Sequence, residues 1–126
     1  MKPFLCACLG SAAGGGVRYL VGLWTAHRFG TSFPWGTLVV NLAGCFLMGL
    51  LVHLMASAAS FPFNLRVALT TGFLGGLTTY SAFNHETYRL LDQGAARAAI
   101  LNAGATLVGC FVLGVLGVLL ARRLVG

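Results

Sequence analysis

The residues of this chain best suited to chemistry lie in one stretch, Gly72–Phe83, which reads GFLGGLTTYSAF. It places a glycine pair and several hydroxyl side chains inside an apolar segment long enough to cross a bilayer. Lipid cannot satisfy freed backbone groups, so an interrupted helix persists in a membrane only where it lines a cavity or is buried in protein. Gly75 and Gly76 free the backbone, and freed carbonyls there would suit a small dehydrated cation, because hard cations take oxygen ligands. The stretch therefore indicates a membrane protein that handles an ion.

The same stretch contains two aromatic side chains. Tyr80 and Phe83 are three residues apart and share one helix face. Aromatic rings have positive edges, so two rings presented edge-on can contact an anion, although ordinary packing explains them too. Ser81 adds a hydroxyl. Glu86 ends the polar stretch. Three roles are open for its carboxylate: proton coupling, a charge at a pore mouth, or an ion pair with Arg89.

Polar residues also occur inside the other apolar segments, where their cost favours a pathway or a partner. The Asn41 amide can donate two hydrogen bonds to an anion or one to a neighbouring helix. Arg18 can attract anions near a vestibule or pair with helix-end carbonyls. Asn102, Thr106 and Cys110 recur every four residues and form a polar stripe along one helix face.

Four apolar segments position these residues, and together they predict an all-α membrane protein with a glycine-broken third helix. Each is close to the length of about 20 residues that a bilayer requires. Loops containing Pro34 and Pro62 separate the first three, and the short connections make consecutive helices antiparallel neighbours. We expect a single transmembrane domain over 1–126 with spans at about 3–24, 35–56, 65–90 and 98–121.

Composition excludes several classes of protein. Only 8% of the residues are charged, against roughly 25% in a soluble domain. The net charge of +6 comes from basic residues scattered at segment ends, where they anchor at lipid headgroups, so no nucleic acid is expected as a partner. No protein partner other than a second copy is evident. The histidines lie in different segments and no catalytic constellation emerges, so the sequence does not predict an enzyme.

Basic residues are almost evenly divided between the two sides of a four-span chain. One side has four (Lys2, Arg66, Arg122 and Arg123) and the other has three (Arg28, Arg89 and Arg97). This leaves almost no bias for the positive-inside rule, so we expect insertion in both orientations. Dual insertion would allow an antiparallel homodimer with its two-fold axis in the membrane plane.

Three motifs together resemble the CrcB/Fluc family of fluoride channels: GGGVRY at Gly14–Tyr19, WGTLVVNLAG at Trp35–Gly44 and the Gly72–Phe83 stretch. Length and four-span layout agree over essentially the whole chain. The resemblance implies a passive fluoride channel in the bacterial inner membrane, built as a dual-topology antiparallel homodimer with two pores. It also implies a structural sodium ion at the centre of the dimer.

The resemblance also implies roles for individual residues. Backbone carbonyls of Gly75 and Thr78 would hold the sodium ion. The family usually has Phe where Tyr80 stands and Tyr where Asn102 stands, and Cys110 replaces a hydroxyl. The implied pore residues are Asn41, Tyr80, Ser81, Phe83, Asn102 and Thr106, with Arg18 and Glu86 at a vestibule or pore mouth.

Other functions remain open at this point. A small multidrug-type transporter also uses four spans and antiparallel dimers, but it needs a membrane-embedded carboxylate for proton exchange. The first span has no Asp or Glu, and Glu86 lies beyond the break in the third. A non-conducting scaffold subunit and a sodium-coupled carrier are further alternatives.

Overall fold

The computed structural model describes residues 1–58 and 60–126, and helices make up most of this part of the chain. Ala59, in the predicted second loop, lies outside the described residues. Three helices, of 28, 23 and 30 residues, are long and apolar enough to cross a membrane. The helices are α1 (Lys2–Phe29), α2 (Trp35–Ser57), α3 (Phe63–Val67), a π-helical segment (Ala68–Leu74), α4 (Gly75–Leu77), α5 (Tyr80–Asp92) and α6 (Ala96–Val125).

Proline and glycine mark the helix boundaries. Pro3 lies in the first turn of α1, where its missing N–H has no intrahelical partner to lose. The helix ends at Phe29 and is followed by Gly30, whose φ of 78° costs a glycine little. Pro34 and Pro62 directly precede α2 and α3. The predicted start of the second span, residue 35, is the observed one, whereas α1 and α6 extend several residues beyond their predicted ends.

The predicted third span, 65–90, is divided into several helical pieces. The glycines at its centre are helical: Gly75 has φ −64° and ψ −36°. The chain becomes extended just after them, at Thr78 (φ −84°, ψ 153°) and Thr79 (φ −153°, ψ 120°). Both are β-branched residues, which tolerate extended backbone well. The break thus lies at the threonines that follow the glycine pair.

The glycines instead allow α1 to contact the broken region backbone to backbone. A Cβ added at Gly14 would collide with the Phe73 carbonyl and lie 2.8 Å from the Leu77 nitrogen. One added at Gly76 would lie 2.9 Å from the Ser11 Cα. Small residues at such contacts are the usual means of helix association in membranes. The glycines therefore hold the broken region against α1.

A second glycine contact joins α2 to α6, the two helices that pack most extensively against each other. A Cβ at Gly117 would lie 2.9 Å from the Leu50 nitrogen, and one at Gly49 would collide with the Gly114 carbonyl. Glycines at these positions therefore allow α2 and α6 to approach closely. The small hydrophobic core of Val40, Leu74 and Leu77 lies between α2 and the broken region.

The chain buries polar side chains and exposes large apolar ones. Asn41, Asn102, Thr25 and Thr106 are buried, whereas many leucines, valines and aromatics of α1 and α6 are exposed. This reversal of the soluble pattern suits a protein surrounded by hydrocarbon. With its three apolar helices, the chain is a multi-pass membrane protein.

Candidate ion-binding site at the helix break

Asn41 on α2 pairs with the backbone at the break in the third region. Its Nδ2 donates to the Thr79 carbonyl at 3.0 Å, and the Thr79 N–H donates to its Oδ1 at 2.8 Å. The side chain thus satisfies both polar groups of an extended residue at membrane depth. Of the two possibilities left open by the sequence, the interhelical bond is present. One Nδ2 hydrogen remains for a ligand, because an amide nitrogen carries two.

Thr79 also caps the helix that follows the break. Its Oγ1 accepts from the Ala82 N–H at 3.2 Å, which satisfies one of the free amides at the start of α5. The Ser81 hydroxyl is 3.2 Å from the same oxygen. Ser81 is exposed and is not among the residues that surround the adjacent cavity. Its observed contact is therefore with the N-cap of α5.

A cavity of about 260 Å³ lies beside the Asn41–Thr79 pair, between α2, α5 and α6. Four of the predicted pore residues come together here, although they lie up to 65 positions apart in the sequence. No lining residue of this cavity has a charged side chain. It is lined by Asn41, Cys45, Thr78, Thr79, Tyr80, Phe83, Thr106, Leu107 and Cys110.

The two aromatic rings at this cavity are neighbours, as their spacing predicts. The ring centroids of Tyr80 and Phe83 are 5.5 Å apart with the planes tilted by 56°. Phe83 is 6% exposed, whereas Tyr80 is 73% exposed. Phe83 is therefore enclosed within the single chain, and Tyr80 is free to contact lipid or a second copy.

Thr106 lines the cavity, and its hydroxyl is buried without a hydrogen-bond partner among the described residues. The residue is 6% exposed. Cys110, one turn further along α6, lines the same cavity. Sequence reasoning did not select Cys45 as a site residue, although its position four residues after Asn41 puts it on the same face of α2.

Asn102 lies outside this cavity, although it belongs to the same stripe on α6. It is 1% exposed, and its Nδ2 donates to Thr87 Oγ1 at 2.8 Å. The structure thus separates it from the other predicted pore residues by its depth along the helix. Thr87 was missed by sequence reasoning, because nothing in its position relative to Asn102 marks the contact.

Glu86 and Arg18 line two neighbouring cavities near the ends of α1 and α2. Glu86 Oε1 accepts a hydrogen bond from Thr37 Oγ1 at 2.9 Å, and its buried Oε2 has no partner among the described residues. The carboxylate is therefore bonded to Thr37, and Arg89 contributes only to the lining of the same cavity of about 190 Å³. Arg18 lines a cavity of about 380 Å³ that also reaches Thr37.

Gly75 and Thr78, the predicted sodium ligands, lie on the two sides of the turn that ends α4. The Thr79 N–H, which would close the helical bond to the Gly75 carbonyl, donates to Asn41 instead. Thr78 is extended, which takes its carbonyl out of the helix. Both carbonyl oxygens therefore suit a hard cation. Within 1–58 and 60–126, no three His, Cys, Asp or Glu side chains form a metal site.

Comparison with known proteins identifies the family to which this arrangement belongs. A family model described as "CrcB-like protein, Camphor Resistance (CrcB)" matches residues 5–118. The chain belongs to the CrcB family. The match includes α1, α2, the broken region and most of α6.

Relatives in this family match the chain from end to end. A protein of Sorangium cellulosum strain So ce56 is 46% identical over 125 residues, which cover 99% of this chain and 98% of the relative. One of Anaeromyxobacter sp. strain K is 44% identical over 126 residues, all of both chains. One of Chloroflexus aurantiacus strain J-10-fl is 41% identical over 122 residues, 97% of each. All three CrcB relatives are named fluoride-specific ion channel FluC.

Proposed function

We propose that this CrcB-family chain is a fluoride-selective channel that passively exports fluoride from the bacterial cytoplasm across the inner membrane and so protects the cell. It is a channel and not an enzyme. The observation that carries the proposal is the uncharged cavity at the helix break, which Asn41, Phe83 and Thr106 line together. The names of the full-length relatives support the choice of ion.

The chemistry of the cavity suits a small, strongly hydrated anion. Fluoride gives up water only where other donors replace it. The second Asn41 N–H and the unpartnered Thr106 hydroxyl can donate, and aromatic edges add positive potential. No Lys, Arg or His lines this cavity, so no fixed charge would trap the ion. Conduction requires binding that is strong enough to enter yet weak enough to leave.

Export needs no coupled energy source in this proposal. Neutral hydrogen fluoride crosses membranes and ionises inside at neutral pH. A negative-inside potential of 100 mV contributes about 2.3 kcal/mol per charge toward expulsion of the anion. A passive pathway is sufficient to lower cytoplasmic fluoride.

The proposed assembly is an antiparallel homodimer in which each chain crosses the bilayer four times, the broken region forming the third crossing. Lipid does not tolerate exposed irregular backbone. The extended residues Thr78 and Thr79 are only half-buried in the single chain, and Gly75 and Tyr80 beside them are exposed. A second copy placed over the break would cover them. The near balance of basic residues supports dual insertion.

A structural sodium ion would lie at the centre of that dimer. The Gly75 and Thr78 carbonyls fit this role, because Asn41 has taken the N–H that would otherwise occupy the Gly75 oxygen. Carbonyls from two copies related by a two-fold axis would provide the all-oxygen site that a hard cation prefers. When bound, the ion would neutralise converging carbonyl dipoles at the break.

The test is efflux from liposomes containing the purified protein, measured with a fluoride electrode and with chloride efflux in parallel. We expect fast fluoride efflux, negligible chloride efflux, and loss of at least about tenfold in Asn41→Asp. The carboxylate keeps the shape of the amide, but its negative charge repels the anion and the Thr79 carbonyl oxygen. Gln93→Glu makes the same change from amide to carboxylate at an exposed position between α5 and α6 and should retain flux.

The same assay separates the alternatives. Flux that follows a pH gradient would identify a proton-coupled transporter, with the half-buried Glu86 as its carboxylate. Fluoride flux that scales with a sodium gradient would identify a carrier. A folded dimer without any fluoride efflux would refute the channel and favour the scaffold subunit among the alternatives.

A further inference from the structure

A single hydroxyl connects α6 to the backbone of Phe83. Thr87 Oγ1 donates to the Phe83 carbonyl at 2.7 Å, one turn back along α5, and accepts from Asn102 Nδ2 at 2.8 Å. A hydroxyl has one proton, and here it points to Phe83, so the amide must be the donor in the second bond. The direction of both hydrogen bonds is therefore fixed.

This chain of bonds adjoins the 260 Å³ cavity, because Phe83, whose carbonyl accepts from Thr87, is one of the lining residues. Asn102 is 1% exposed and does not line it, whereas Phe83 on α5 and Thr106 on α6 do. Thr106 follows Asn102 by one helical turn. The Asn102–Thr87 bond therefore joins α5 and α6 one helical turn away from Phe83 and Thr106, which both line the cavity.

We propose that Asn102 is a positioning residue that sets anion selectivity by holding Phe83 in register with Thr106 through Thr87, without contact with the ion. This inference rests on the proposed fluoride channel. Fluoride and chloride differ mainly in size and hydration, so the spacing between the Phe83 edge and the Thr106 hydroxyl decides which anion loses its water at acceptable cost. Loss of the interhelical bond frees α5 to shift and relaxes that spacing.

The test is a double-mutant cycle on the ratio of fluoride to chloride efflux. Asn102→Leu removes the amide donor, Thr87→Val removes the hydroxyl with little change in shape, and the double variant removes both. We expect each single variant to lower the ratio by about tenfold and the double variant to lower it no further, because residues that act through one bond are not additive. Thr87→Ser keeps the hydroxyl and should have the same ratio as the unaltered protein.

Ser57→Ala is the matched control. Ser57 Oγ also donates one turn back, to the His53 carbonyl at 3.0 Å, but at an exposed position on α2. Its loss should leave the ratio unchanged. If Asn102→Leu does not fold, Asn102→Asp replaces it, since an ionised carboxylate keeps the shape but cannot donate to Thr87.

Several results would overturn the inference. If Asn102 contacts fluoride directly, its replacement raises the fluoride concentration for half-maximal efflux while Thr87→Val behaves like the unaltered protein. Additive effects, or a ratio that neither variant changes, also contradict it. An unaltered protein that conducts no fluoride refutes the proposed channel instead, so the two failures are distinguishable.

Discussion

Two buried asparagines contact α5 at different points, Asn41 at its N-cap and Asn102 near its middle, and they satisfy different polar groups. Asn41 on α2 is 6% exposed and pairs with both backbone groups of Thr79. Asn102 on α6 is 1% exposed and pairs with one side-chain hydroxyl. A backbone group in a membrane must find a partner, whereas the Thr87 hydroxyl keeps its bond to the Phe83 carbonyl without Asn102. Burial alone does not distinguish the two residues, but their partners do.

Replacement by leucine should give the largest difference between the two sites. Asn41→Leu leaves the N–H and carbonyl of Thr79 unpaired, at a cost of about 1–3 kcal/mol for each group. Asn102→Leu should cost about 1 kcal/mol, because the hydroxyl stays bonded. Thermal unfolding of the purified variants in detergent shows which variant loses more stability. Equal losses at both sites would mean that the backbone pairing of Asn41 has no special weight.

A methyl group added near Asn41 should also destabilise the protein more than one added near Asn102. Gly44, three residues after Asn41, is buried, and a Cβ there would collide with the Thr78 side chain at the break. Gly104, two residues after Asn102, has open space. We expect Gly44→Ala to cost about 1–3 kcal/mol by overpacking and Gly104→Ala to be neutral or slightly stabilising. Unfolding temperatures of the matched pair test this, and a stable Gly44→Ala would show that the break can move.

Removal of the Thr79 hydroxyl, which caps α5, should lower stability least. Thr79→Val keeps the extended backbone and both bonds to Asn41 but removes the acceptor for the Ala82 N–H, which should cost about 1 kcal/mol. Thr79→Ser retains the acceptor and should be close to neutral. A loss in Thr79→Val as large as that in Asn41→Leu would assign the stability of the break to the cap and not to the asparagine.

The sequence predicted an all-helical chain and the three long apolar helices, because prolines and glycines mark most of their boundaries. It also placed the polar stretch of the third region at the site. It did not predict that Gly75 and Gly76 remain helical, because glycine permits both a break and a close helix contact, and only the position of α1 decides between them. The extended backbone at Thr78 and Thr79 depends on Asn41, which is 38 residues away from Thr79.

The candidate site was predictable in part. Spacing placed Tyr80 beside Phe83 and left two roles open for Asn41, and one of these, the interhelical bond, is present. The four-residue repeat grouped Asn102 with Thr106, but a repeat specifies a helix face and gives no depth along the helix. The cavity ends between the two residues.

The pairing of Asn41 with Thr79 has a consequence for how the chain is made. α5 is not among the helices apolar enough to span a membrane, and the break before it exposes peptide groups that lipid rejects. The partner for those groups lies on α2, which leaves the ribosome earlier. We therefore expect the third region to enter the bilayer efficiently only as a hairpin with α2, so that translocation machinery must retain one segment until the next arrives.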